Sequence, residues 1–246
     1  MIHFISDLHI SSRSPGVARR FLHYLENSAI QVQQLFILGD FFEAWPGDDC
    51  IDDPGEQLNR EIVCALKKLS DAGVSVSVMH GNRDFLLGAT FAKRSGATLI
   101  ADPHEFSVPT AKFVLSHGDA LCTADHEYQA FRATVRQQDW QTSFLSRPLV
   151  ERKAIAAAMR QQSERAKEDK LRQQHTYLMD IDVVATEDFL RRHEATFFIH
   201  GHTHRPAQHV HRVDNRTIER WVLADWSEDR GEALCFDGQG LYRRPL

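Results

Sequence analysis

The chain has 246 residues, 42% of them hydrophobic and 26% charged, with a net charge of −5. That length fits one large domain or two small ones and is enough to bury a sizeable core, and the composition is ordinary for a soluble globular protein. No apolar run approaches the ~20 residues of a membrane span, the first residues lack the features of a secretory signal, and the acidic balance argues against non-specific nucleic-acid binding.

In chain order, residues 2–6 form an apolar run read as a first strand, which ends at Asp7-Leu8-His9. Residues 17–27 read as a helix with Phe21, Leu22 and Leu25 on one face. A second strand over 35–38 runs into Gly39-Asp40, and the Asp-, Pro- and Gly-rich residues 41–55 read as an irregular loop. The spacing of Leu58, Ile62, Ala65, Leu66 and Leu69 predicts a helix over 56–72, with Gly73 as its stop. A strand over 74–79, where valine alternates with serine, leads to Gly81-Asn82-Arg83-Asp84. A short helix over 85–95 and a strand over 97–100 follow. Residues 104–108 and 112–115, joined by Pro109-Thr110-Ala111, read as a hairpin, and its second arm ends at Ser116-His117-Gly118-Asp119.

From 124 to 170 the period is helical throughout. Ala124, Tyr128, Phe131 and Val135 form one stripe and Leu149, Ile155, Ala156 and Met159 another, interrupted by residues 143–146 and Pro148. The last third returns to strands: 197–199, which leads to Gly201-His202-Thr203-His204, then 208–213, 217–223, 232–236 and a short C-terminal piece. The simplest architecture is a two-sheet α/β core, residues 1–123 and 171–246, carrying a helical insertion over 124–170. The four cysteines (Cys50, Cys64, Cys122, Cys235) show no CxxC pair and read as reduced thiols of a cytosolic protein.

Charge is unevenly spread. Residues 132–172 hold ten of the 29 Lys/Arg but only five of the 34 Asp/Glu. A basic segment in an acidic chain is either a local surface for an anionic substrate or lipid, or a solvated helix face.

The five polar clusters at strand ends hold the donors that two divalent cations require. Asp40 suits a bridge, because a carboxylate can place one oxygen between two cations. Asp7 and His9, two apart on an extended segment, point together toward one ion, and His202 and His204 repeat that spacing with two imidazoles. Asn82 offers an amide oxygen and His117 completes the second ion. This imidazole-rich set fits Mn²⁺ or a similar transition metal better than Ca²⁺. Taken singly, each residue has a bland explanation: a lone His is usually a surface or hydrogen-bonded core residue, and Gly-Asp is usually a turn. His80, His200 and His209 lack the matching position and read as supporting or structural.

These clusters resemble the calcineurin-like metallophosphoesterases, whose pattern is DxH, GD, GN(H/R)D, a later H, and GHxH. One departure is Arg83, where most members have His. Gly81-Asn82-Arg83-Asp84-Phe85-Leu86 is similar to one branch, the UDP-2,3-diacylglucosamine hydrolases of the lipid A pathway. So are the stretches Gly39 through Trp45, His117-Gly118-Asp119, Leu121 through Asp125, Tyr128 through Arg132, and Ile199 through Pro206.

The resemblance implies a four-layer αββα sandwich with a helical lid, and two Mn²⁺ ions held by Asp7, His9, Asp40, Asn82, His117, His202 and His204. It implies hydrolysis at the α-phosphorus of a glycolipid nucleotide, with Asp40, Asn82, Arg83 and His117 as catalytic residues. Substrate contacts would come from Asn82, Arg83, Asp125, Ser163, Lys167, Lys170 and His202, and family members vary at the position of Lys167. The protein would work in the cytoplasm, peripherally on the inner-membrane surface, with no obligate protein partner. In the lid, Tyr128, Phe131 and Met159 either line an acyl groove or pack the lid on the core, and Arg152, Lys153, Arg160 and Lys170 are candidates to face headgroups or the diphosphate. The alternatives are a metallophosphoesterase for a soluble nucleotide or phosphodiester, which leaves the insertion without a purpose, and a scaffold that has lost catalysis, which would lack several of the seven donors.

Overall fold

A computed structural model describes residues 1–172, 178 and 180–246. Two sheets form its centre. The first comprises β1 (Ile2–Ile5), β2 (Gln34–Leu38), β3 (Ser75–Met79), β4 (Thr98–Ile100), β10 (Glu232–Phe236) and β11 (Leu241–Pro245), in the order β11-β10-β1-β2-β3-β4. The second comprises β5 (His104–Val108), β6 (Ala111–Ser116), β7 (Phe197–His200), β8 (Ala207–Val213) and β9 (Arg216–Val222), in the order β5-β6-β7-β9-β8.

Period-two alternation sorts the strand residues into layers. Ile2 and Phe4 of β1, Phe36 and Leu38 of β2, and Leu234 and Phe236 of β10 face inward, where they meet Phe113 and Leu115 of β6 and Phe197 and Ile199 of β7. The intervening residues of the first sheet, such as Ile5, Leu35, Ile37, Val76 and Val78, face α1 (Pro15–Asn27), α2 (Gln57–Asp71) and α3 (Ala89–Ser95). On the far side, Val114, Phe198 and Ile218 face Phe189 and Leu190 of α7 (Val183–Arg192). The result is the expected αββα sandwich.

Two elements differ from the sequence reading. The helix expected from 85 begins only at Ala89, because residues 85–88 turn so that Gly88 N and Phe91 N both donate to the Asp48 carboxylate, at 2.9 Å each. Helix α7 falls where no helix is expected. Asp182 caps it by accepting from Ala185 N at 2.8 Å, but its exposed Val183 and Val184 are β-branched and obscure the helical stripe of Thr186, Phe189 and Leu190.

The segment between β6 and β7 carries three further helices: α4 (His126–Val135), α5 (Gln138–Leu145) and α6 (Leu149–Arg172). The boundary expected at 171 falls within α6, and residues 173–177 and 179 beyond it lie outside the described residues. Leu149 and Ile155 of α6 and Trp140 of α5 pack on the core cluster beneath α1 to α3. No helix among the described residues is long and apolar enough to cross a membrane.

Arg152 is not available to a headgroup. It is only 3% exposed; its guanidinium is bound to the Asp49 carboxylate and the Pro46 carbonyl, and its Nε donates to Arg147 O at 2.9 Å. Lys153 is likewise paired with Asp53 and Glu56. These contacts fasten the start of α6 to the loop after β2. Arg152→Ala is expected to lower stability by about 2 kcal/mol, since it strips charge-assisted bonds from a buried carbonyl and a half-exposed carboxylate. Urea unfolding of the chelated protein checks this, and an unchanged midpoint would show the fastening to be dispensable.

Candidate metal centre

Strands β1, β2 and β3 run parallel in one sheet, as do β6 and β7 in the other, and each is followed by one of the polar clusters. Glycines let these loops crowd together. Gly39 has φ +86°, and a Cβ there would sit 2.7 Å from Gly81 Cα, while a Cβ on Gly81 would run into the backbone and carboxylate of Asp40. Asp84 staples the two loops: it is fully buried, and its carboxylate accepts from Gly81 N (2.8 Å), Phe41 N (2.7 Å) and Phe42 N (3.2 Å). It is thus a loop fastener.

Six of the seven expected donors fall into two groups whose ligand atoms lie within 4.8 Å of one another: Asp7, His9 and His204, and Asp40, His117 and His202. The seventh, Asn82, directs Oδ1 into the second group, 3.0 Å from both His117 Nε2 and His202 Nδ1. Asp40 spans the two, with Oδ2 3.8 Å from His9 Nε2 and Oδ1 3.6 Å from His117 Nε2.

This partition corrects the expectation that His202 and His204 serve one ion. The i, i+2 rule holds for extended backbone, and His202 (φ +69°) and His204 (φ +54°) are left-handed, so the rule does not govern where their side chains go. Asp7, His9 and Asp40 are left-handed as well, at φ +54°, +49° and +48°. Such backbone costs about 1–2 kcal/mol for each non-glycine residue, and its concentration at these donors marks a site whose geometry the surrounding fold imposes.

The donor chemistry fits a pair of cations. Asp7 accepts at Oδ2 from Ser6 Oγ (2.5 Å) and His202 N (2.9 Å), while its buried Oδ1 has no aligned hydrogen-bond partner among the described residues and lies 3.3 Å from His204 Nε2. In the same group His9 Nε2 and His204 Nε2 face each other at 3.4 Å. His117 Nδ1 donates to Leu38 O at 2.9 Å, which leaves Nε2 facing Asn82 and Asp40.

The electrostatics agree. Burial alone would depress His117, but Asp40, Asp7 and Asp119 outweigh it and raise its pKa to about 9. Burial likewise opposes protonation of His9, yet Glu43, Asp40 and Asp7 raise it. Asp7, despite burial, is held well below the usual carboxylate range by His204, His117 and His9. The pocket therefore favours positive charge, the condition that a bound cation meets. His202 is lowered to about 4, by burial first and then by His117, and so presents a neutral ring at pH 7.

The expected substrate contacts are more scattered. Arg83 donates its backbone N to Asp40 Oδ1 (2.8 Å), and its guanidinium lies beside Glu164 (3.2 Å) and Glu43 (3.9 Å). Asp125 caps α4 through Tyr128 N and is paired with Lys170. Ser163 and Lys167 are exposed on α6, with no side-chain bond to another described residue. Arg160 pairs with Glu43 at 3.1 Å.

Several residues around the site were given no part in the metal centre by the sequence. Asp119 is fully buried and accepts from Tyr128 Oη (2.6 Å) and Arg132 Nε (2.8 Å). The Tyr128 ring stacks on His202, with centroids 6.0 Å apart, and Arg136 Nη2 donates to Gly81 O at 2.8 Å. Helix α4 is therefore docked directly on the candidate centre. Glu43 reaches His9 as well as the two arginines. Of the basic residues in the helical segment, Arg132, Arg152, Lys153, Arg160 and Lys170 all pair with carboxylates outside their own helix. Much of the charge asymmetry is thus complementarity between these helices and an acidic core.

The family described as calcineurin-like phosphoesterase matches residues 1–206. The chain is 46% identical over 237 residues to the UDP-2,3-diacylglucosamine hydrolase of Aromatoleum aromaticum, an alignment covering 96% of this chain and 93% of that one. It is 45% identical over 241 residues to the enzyme of the same name from Cellvibrio japonicus, covering 98% and 97%. With that of Chromobacterium violaceum the identity is 44% over 250 residues, covering 100% and 98%.

Proposed function

The chain belongs to the calcineurin-like phosphoesterase family, and on that premise we propose that it hydrolyses UDP-2,3-diacylglucosamine to 2,3-diacylglucosamine 1-phosphate and UMP, by water attack at the α-phosphorus. The observation that carries this reading is the convergence of all seven donor side chains in a protein 44–46% identical, over nearly its whole length, to hydrolases of that name.

Asp7, His9 and His204 would hold one cation, Asn82, His117 and His202 the other, with Asp40 shared; Mn²⁺ suits this mixture of carboxylate, amide and imidazole. When bound, the two cations supply activation of the attacking water and charge stabilisation at the phosphoryl oxygens. The rest falls to side chains of the protein. Arg83 offers the diphosphate a planar, permanently charged donor pair, and Glu164 and Glu43 hold it at the rim until phosphate oxygens replace them. Asp119 fixes Tyr128, whose ring in turn fixes His202. Arginine cannot shuttle a proton, but a sugar 1-phosphate is a good leaving group and asks little of a general acid.

Residues 124–170 act as a lid over the centre, with Asp125, Ser163, Lys167 and Lys170 meeting the substrate. The Lys170–Asp125 pair would have to open for either to do so. Phe131 of α4, 40% exposed, is a candidate to meet an acyl chain, whereas Tyr128 is already committed to Asp119. The setting is cytoplasmic, at the inner-membrane surface.

Two measurements test this. Chelated protein should turn over UDP-2,3-diacylglucosamine only after Mn²⁺ is restored, and should hydrolyse a soluble UDP-sugar far more slowly. Phe131→Asp should depress glycolipid turnover much more than hydrolysis of a small phosphodiester, because a carboxylate beside acyl chains is unfavourable while the donors lie on separate loops. Parallel loss on both substrates, with a lowered melting temperature, would make α4 a packing element and favour a soluble phosphodiester as substrate.

A further inference from the structure

Glu43 lies three residues beyond Asp40, and its backbone is fixed where the loops after β1 and β2 pair. Ile10 N donates to Phe41 O at 3.0 Å, and Glu43 N donates to Ile10 O at 3.1 Å. This puts the carboxylate behind His9, with Oε2 3.3 Å from His9 Nδ1. That nitrogen is buried and has no aligned hydrogen-bond partner among the described residues, so Glu43 is the acceptor within reach. On the far side of the ring, Nε2 faces His204 Nε2 and Asp40. The other carboxylate oxygen is held by Arg160 Nη1 of α6 at 3.1 Å, with Arg83 Nη1 at 3.9 Å. The Glu43 side chain is only 13% exposed, so water competes weakly for these contacts.

We propose that Glu43 is a positioning residue for the first cation: it holds His9 in the Nδ1–H form, with the Nε2 lone pair directed at the ion, and Arg160 holds Glu43 in that pose. A ring nitrogen binds a metal only when its proton sits on the other nitrogen, and an acceptor behind the ring fixes both the tautomer and the angle. Its counterpart His204 has a more distant carboxylate behind it, with Asp225 Oδ2 3.9 Å from Nδ1. Its dependence on such support should be smaller. Through Arg160 the arrangement also links the cation to a helix that the proposed function treats as part of the lid.

The test is a titration of Mn²⁺ alone into the chelated full-length protein, followed by calorimetry. It rests on the two-cation reading of the centre, and wild-type protein that binds no Mn²⁺ would remove that reading. In Glu43→Ala one of the two binding events should weaken about 10–100-fold, the range expected for an outer-shell partner, while the other stays within about threefold. Glu43→Gln, whose amide oxygen still accepts from Nδ1–H, should recover most of that loss. Arg160→Ala should weaken the same event by a smaller factor. Melting temperatures of the metal-free variants separate positioning from folding, and Glu43→Met, which keeps the volume, replaces the alanine variant if that one unfolds. Tight wild-type binding that is unchanged in Glu43→Ala overturns the role of Glu43 alone, as does a glutamine variant as weak as alanine.

Discussion

Asp40→Ala is expected to cost more activity than the loss of any other donor, about 10³-fold in kcat or ~4 kcal/mol of transition-state stabilisation. The Asp40 carboxylate lies between the two donor groups, one oxygen toward His9 and the other toward His117. Truncating Asp7 or His117 would strip one group while leaving the other with its remaining donors. Truncating Asp40 weakens both, and it also releases the Arg83 backbone N–H that the carboxylate accepts. It removes a negative charge from a pocket where His9 and His117 are raised by that same carboxylate, so the field that favours cations falls as well. Metal content and turnover should therefore fall together, and adding excess Mn²⁺ should restore only a fraction of the rate. A variant that retains two ions and turns over normally would remove Asp40 from the shared position.

The donors were legible in the sequence because each sits directly after a strand, and parallel strands bring such residues to one edge. Their partition was not. Asp7 with His9 and His202 with His204 share the same spacing, and an extended backbone would send each pair to one ion. The structure keeps Asp7 and His9 together and separates the two histidines; all four residues are left-handed, so the extended-strand rule applies to neither pair, and no local propensity announces that. The apolar runs over 2–6 and 35–38 marked strands, but being buried on both faces they did not show which residues face which layer. Helix α7 was not read, because it carries its apolar residues as one short stripe behind two exposed valines.

Charge gave the least direct reading. The basic run over 132–172 was ambiguous between a ligand surface and a solvated face, and the structure supports a third use. Arg132 is bound to Asp119, Arg152 to Asp49, Arg160 to Glu43 and Lys170 to Asp125. These pairs join residues 13 to 117 positions apart, so no spacing rule could foresee them. Glu43 was passed over for the same reason, since its partners lie far along the chain in both directions.

Arg83→Ala should lower kcat/KM by about 10²-fold, ~3 kcal/mol, while leaving metal content unchanged. The reason lies in how this residue is divided. Its backbone N–H donates to Asp40 Oδ1 at 2.8 Å and survives any substitution other than proline, so the shared carboxylate keeps its support. The guanidinium contacts Glu164 and Glu43 and none of the seven donors, and with 18% of the side chain exposed it stands at the mouth of the centre. Both carboxylate contacts are displaceable by a diphosphate, which carries more charge and offers two oxygens to the guanidinium fork. Removing the fork therefore takes away stabilisation of the phosphoryl oxygens as charge builds there, and nothing from the cations. Arg83→His places an imidazole where most of the family has one, yet it should recover little, because the Glu43 and Glu164 carboxylates are spaced for a long, forked cation and a single ring nitrogen cannot bridge two phosphate oxygens. Loss of bound metal in Arg83→Ala would instead show that the side chain supports the centre through Glu43 and does not act on the substrate.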